Sequence, residues 1–96
     1  MNKSEAQAIL REQFARFTSY AELVPLVQSN RVECCEISGA SGTKYQVEVQ
    51  FFWDDKHGGN IRVVGSVDDR GLRAFCPLTE TLVISPPESS SYESSA

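Results

Sequence analysis

Apolar positions fall into two periods along this chain, and the period changes near residue 32. Before it, Ala6, Leu10, Phe14 and Phe17 recur at steps of three to four, with Ile9 alongside. That is one apolar face of a helix. Arg11, Glu12, Gln13 and Arg16 take the other side. Ser4-Glu5-Ala6-Gln7 has the spacing of a capping box, in which Ser4 accepts the Gln7 N–H and the Gln7 side chain reaches back. A helix is predicted from about Glu5 to Phe17. Ser19 and Glu22 repeat that spacing ahead of Tyr20, Leu23, Leu26 and Val27. Pro25 would then fall beyond the first turn. Two outcomes are open: a short turn that breaks before Pro25, or a second turn that Pro25 opens through Val27 and Gln28.

From Val32 the period is two. Tyr45, Val47, Val49, Phe51 and Trp53 alternate with Gln46, Glu48, Gln50 and Phe52, the signature of a half-buried strand. The strand before it, Val32 to Ser38, is joined to it through Gly39-Ala40-Ser41-Gly42. The strand after it starts at Ile61, beyond the loop Asp54-Asp55-Lys56-His57-Gly58-Gly59-Asn60, and turns Ile61, Val63, Gly65 and Val67 to one face. Asp68-Asp69-Arg70-Gly71 turns the chain into a fourth strand, Leu72 to Cys76, which Pro77 ends or places on an edge. Leu82-Val83-Ile84 is a candidate last short strand. An antiparallel meander with one apolar face needs a cover, and the N-terminal stripe supplies it. The predicted fold is α+β: an N-terminal helix, with room for a second short helical turn, packed on one face of a four-stranded antiparallel meander. Residues 1–85 form the domain. Residues 86–96, rich in Ser and poor in apolar residues, are predicted to be a disordered tail.

Composition narrows the functional classes. A chain of 96 residues is one domain, and a chain of this size buries only roughly 60–65% of its unfolded surface. The core is modest, so a protein partner or a second copy of the chain is a reasonable expectation. Net charge is −4, with nine Lys and Arg scattered along the chain, so the basic footprint of a nucleic-acid binder is missing. No apolar run approaches a membrane span, and no secretory signal precedes the first helix. A cytoplasmic location without membrane association is expected. Three cysteines without framework spacing agree with it.

Candidate chemistry is sparse. Cys34 and Cys35 are strand neighbours and point to opposite faces. A Cys76 on the fourth strand would lie three strand spacings away, roughly 14 Å, beyond the roughly 7 Å limit of a disulfide. Asp54, Asp55 and His57 share a loop that could hold an ion or small ligand. Asp68 and Asp69 lie at the other end of the hairpin, roughly 20 Å away at about 3.3 Å per residue, so the two acidic pairs cannot form one site. Each reads first as turn chemistry, an Asp capping its own turn beside a glycine. No nucleophile motif or phosphate-binding loop occurs. The chain is not expected to be an enzyme, and no metal or cofactor is implied. On the outer sheet face, Gln46, Glu48, Gln50, Arg62, Ser66 and Asp68 should surround Phe52 and Val64. A small apolar patch ringed by polar groups is a contact surface. The bland alternative packs Phe52 and Val64 under the C-terminal segment, against Leu82 or Ile84.

The run from Val64 to Thr79, Val-Gly-Ser-Val-Asp-Asp-Arg-Gly-Leu-Arg-Ala-Phe-Cys-Pro-Leu-Thr, resembles a family of small uncharacterised bacterial domains. Those carry a G-[ST]-[IV]-D-D-x-G-x-R-x-x-x-P-L-T pattern after an apolar strand. The resemblance spans about Val47 to Ile84 and departs at Arg70 and Leu72, where the family favours Gly and Trp. It implies a bacterial source and a compact α+β domain, and it implies no activity. Physically the segment reads as a turn: Asp68 and Asp69 bond backbone amides, Gly71 permits positive φ, and Arg73 pairs with an aspartate. The leading expectation is a protein-interaction or regulatory module. An immunity-type protein that blocks a basic toxin is one concrete form. Small-ligand or ion binding at the 54–60 loop comes second, and an enzyme without a recognisable motif third.

Overall fold

Asn2, not Ser4, starts the first helix. In the computed structural model, which describes residues 2–69 and 78–87, the Asn2 side chain accepts the Glu5 N–H at 3.0 Å. Its carbonyl accepts the Ala6 N–H at 2.9 Å. Helix α1 therefore runs Lys3–Phe14, two residues earlier than the Ser4 box predicts. Asn caps as well as Ser does, and this frame puts Glu5 in the first turn, where it finds tertiary partners. Gln7, released from capping, donates instead to Glu80 at 3.1 Å. The helix tightens at its end: Arg16 and Phe17 donate to the carbonyls three residues back. Phe17 thus stays on the buried face although it lies beyond α1.

The second segment forms one helix, α2, Tyr20–Gln28, with Pro25 inside it. The second helical segment expected here is present, and it runs through Pro25 instead of breaking before it or starting at it. The ring removes the donor for the Ala21 carbonyl, and both residues lie on the exposed side, where water can serve that carbonyl. The Ser19 side chain makes no capping bond; its carbonyl alone receives the Glu22 and Leu23 N–H groups. The stop is better defined. Asn30 takes positive φ, 54°, Asn30 N–H bonds the Val27 carbonyl and Arg31 N–H the Leu26 carbonyl. This is a Schellman motif with Asn in the left-handed position.

The sheet is an open antiparallel meander ordered β1-β2-β3-β4. Its strands are β1 Val32–Ser38, β2 Lys44–Trp53, β3 Ile61–Asp68 and β4 Leu78–Ile84. Strand β4 contains the short strand predicted at Leu82-Val83-Ile84 and extends it back to Leu78. Leu72 to Cys76 and the Gly71–Arg73 part of the turn fall outside the described residues. Phe51 pairs with Val63, which leaves Phe52 and Val64 together on the other face. One face buries Tyr45, Val47, Val49, Phe51, Ile61, Val63 and Val67 against Ala6, Ile9, Leu10 and Phe14 of α1, with Phe17, and Leu23 and Val27 of α2. Phe17 and Phe51 meet edge to face at 5.1 Å. Helix α1 packs on β3 and β4, and α2 on β2 and β3. The helical layer is therefore offset from β1, whose central residues are exposed on both faces. No helix among the described residues is long and apolar enough to cross a membrane.

Candidate functional site

Three places could carry function: the two hairpin loops and the outer sheet face. The β1–β2 loop is closed by Gly39 N–H on the Thr43 carbonyl at 2.8 Å, with Gly42 at φ 91°. Glu5 of α1 reaches it. Its carboxylate accepts the Ser41 N–H at 2.9 Å, the Ser41 hydroxyl at 2.7 Å and the Tyr45 hydroxyl at 2.7 Å. These bonds, the Ser41 hydroxyl first, hold the Glu5 carboxyl below its ordinary range. The same carboxylate, then burial, pushes the Tyr45 phenol up. With every donor pointing at one carboxylate, the group is a latch between helix and hairpin. Sequence reading missed it because no local pattern links residues 5, 41 and 45.

The β2–β3 loop holds Asp54, Asp55 and His57. Asp54 N–H bonds the Asn60 carbonyl at 2.8 Å. Its carboxylate accepts the Arg62 Nε–H at 3.1 Å, and its carbonyl accepts from the same guanidinium at 3.1 Å. The His57 ring lies against Trp53 at 4.9 Å. The Tyr20 hydroxyl of α2 donates to the Gly59 carbonyl at 2.7 Å, with Gly58 at 3.1 Å. Asp54 is thus spent on Arg62, and Asp55 is exposed. Among the described residues, no group of three or more His, Cys, Asp or Glu side chains converges to hold a metal. Asp68 pairs with Gln46 at the opposite end of the hairpin, so the structure keeps the two acidic pairs apart.

The outer face brings together what the alternation placed there: Gln46, Glu48, Gln50 and Phe52 on β2, Arg62, Val64, Ser66 and Asp68 on β3. Two residues not foreseen complete it. Register sets Val32, Gln50, Val64 and Thr81 in one row across the sheet, and Phe52, Arg62 and Val83 in the next. Val32, Phe52 and Val83 are the large apolar side chains left exposed among the described residues, at 43%, 45% and 46%. All three lie at the same end of this face. Leu82 and Ile84, expected to cover Phe52 and Val64, pair with Val63 and Ile61 and sit on the helix side instead. A pocket of about 220 Å³ adjoins the patch, lined by Asn30, Arg31, Val32, Gln50, Phe51 and Phe52. It is smaller than the roughly 300 Å³ at which small-molecule sites begin. A single side chain of a partner is a better match for it.

No protein-family model, curated protein or solved structure matches this chain.

Proposed function

We propose that this domain is a protein-interaction module that engages its partner through the outer sheet face, around Phe52, Val64, Val32 and Val83. The observation that carries the reading is the gathering of the large exposed apolar residues onto one end of one face. Singly exposed apolar side chains need no explanation, whereas three within two adjacent rows, rimmed by Gln50, Arg62 and Thr81, have the anatomy of a contact surface. The adjoining pocket offers a seat for one buried anchor, the arrangement in which a few residues supply most of the binding energy. A small bacterial, cytoplasmic regulator fits this reading, and an immunity-type blocker of a basic protein is its most concrete form, given the net charge of −4. The reading assigns no catalytic role.

The test is paired capture from native lysate. Wild type and a Phe52→Asp/Val83→Asp double variant serve as baits, and circular dichroism checks that both are folded. A partner recovered by wild type and lost by the variant is expected. Equal recovery by both, or none by either, sinks the proposal.

A further inference from the structure

The β1 edge meets the outer-face patch only at Val32, and its other features are of a different kind. Cysteine behaves as a small apolar residue and is among the most buried types. Yet Cys34 and Cys35, on opposite faces of β1, are both exposed. Each strand of the sheet except β1 lies under one of the helices. The other outer strand, β4, has α1 above it, and its inward Glu80 is bound by Gln7 and approached by Arg11 at 3.9 Å. Strand β1 carries no proline and no lysine, two of the devices that blunt an edge, and its one helix-side charge, Glu33, is paired with Arg31 at 2.8 Å.

The hydrogen-bond alternation says which backbone groups look outward. Gly39 and Thr43 form a bonded pair in the β1–β2 register. Every second residue from it, Ile37, Cys35 and Glu33, then bonds toward β2. The N–H and C=O groups of Val32, Cys34 and Ser38 are directed away from the sheet.

We propose that β1 pairs antiparallel with β1 of a second copy of this chain, in the register that lays Val32–Ser38 on itself, with Cys35 at the two-fold axis. This alignment uses all seven residues of the strand. It sets Cys34 beside Glu36 of the second copy and Glu33 beside Ile37, so no carboxylate faces another. Moving the register by two residues one way puts Glu36 opposite Glu36. Moving it two the other way keeps charges apart but shortens the ladder and puts Cys34 on the axis. A shift by one would set outward-bonding residues against inward-bonding ones. Glu36 has an interaction within its own chain. In the chosen register Cys35 faces its copy at a non-hydrogen-bonded position on the helix side. There the Cα atoms of an antiparallel pair lie about 4.5 Å apart, within disulfide reach. The product is a continuous eight-stranded sheet that leaves Phe52 and Val83 of both copies outside the interface, with Val32 at its border.

The test uses the full chain carrying Cys76→Ser, so that the two β1 thiols are alone. Sedimentation equilibrium from micromolar to millimolar protein should reach twice the monomer mass of 10.6 kDa. Cys34→Pro removes an outward N–H without touching the β1–β2 ladder and should hold the protein at monomer mass. Should that variant fail to fold, charge at the axis serves instead. Cys35→Lys and Cys35→Glu, each exposed in the monomer, should each weaken association by roughly fivefold or more, and an equimolar mixture should restore it. Diamide, which accepts the two electrons and two protons released by a pair of thiols, should cross-link Cys34→Ser and not Cys35→Ser. A monomer at every concentration, a dimer indifferent to charge at position 35, or cross-linking that follows Cys34 would each overturn the proposal. None of these results bears on partner capture through Phe52 and Val83, so the two readings fail separately.

Discussion

The Cδ1 atom of Leu10 lies 2.5 Å from where a Cβ on Gly65 would stand, and Phe14 Cε1 lies 2.9 Å from the same point. Gly65 is therefore the place where α1 rests on β3, and its lack of a side chain sets the separation of the two layers. Leu10 is fully buried and Phe14 nearly so, so neither can swing clear. Gly65→Ala should cost about 1–3 kcal/mol through overpacking. Thermal unfolding should show it as a fall of about 4–8 °C per kcal/mol for a domain of this size. A Leu10→Val change made with it should recover part of the loss, since the two sites are coupled.

The Glu5 latch predicts a stability profile that falls at both ends of the pH range. The folded state favours ionised Glu5, chiefly through the Ser41 hydroxyl and then Tyr45. Its contribution is complete above the unfolded carboxyl value and is lost as pH falls through the lower folded one. Tyr45 moves the other way, raised chiefly by the Glu5 carboxylate and then by burial. Its contribution is complete below the unfolded phenol value and is lost as pH rises through the higher folded one. Glu5→Gln removes the carboxylate and the charge that raises Tyr45 together. Urea midpoints measured from about pH 3 to about pH 11, bracketing both groups, should show wild type and variant converging at the acid end and drawing only partly together at the alkaline end, where the Tyr45 contribution fades while the Ser41 bonds to ionised Glu5 persist.

What the sequence could disclose depended on how local the deciding interaction was. Strands β2 and β3 are legible because both bury one face, so alternation alone tells which residues share the outer side. The start of α1 was not legible. Asn2 and Ser4 are equivalent caps, and the choice falls to Glu5, whose partners Ser41 and Tyr45 are some forty residues away. Pro25 reads as a boundary because the local rule cannot know that the Ala21 carbonyl, left without its donor, lies on the exposed side. The end of strand β4 is legible in Leu82-Val83-Ile84, whereas its start at Leu78 is not, because no local pattern discloses the register that pairs Leu78 with Val67. Phe52 and Val64 could be placed from β2 and β3 alone, while Val32 and Val83 join them only through edge-strand registers.

Tyr20 fastens the β2–β3 loop to α2 through one hydroxyl shared between the Gly59 and Gly58 carbonyls. Tyr20→Phe keeps the ring and deletes the donor. A neutral hydrogen bond of this kind contributes about 0.5–1.5 kcal/mol, and the loss should be felt locally. Amide exchange should quicken across the 54–60 loop and stay unchanged in β1. Uniform acceleration across the sheet would mean that the loop is no separate unit of stability.

Arg62 sits between Phe52 and Val83 on the outer face and is turned toward Asp54 by two bonds of 3.1 Å. The pair is solvent-exposed on the arginine side, and exposed ion pairs of this kind contribute about 0–1 kcal/mol. Arg62→Ala should therefore shift the urea midpoint little. Its effect on the surface is larger: it removes the one cation between two apolar side chains and merges them into a single strip. If partner contact is chiefly apolar, Arg62→Ala should hold or strengthen binding while weakening its salt dependence. If Arg62 itself recognises a carboxylate, binding should fall and should not return in Arg62→Lys, which cannot reproduce the fork of the guanidinium. Titration calorimetry of wild type and the two variants against a partner captured through the Phe52–Val83 surface separates these outcomes. The first is expected, because Asp54 already occupies the Nε of Arg62 and leaves the apolar pair as the groups still open to contact.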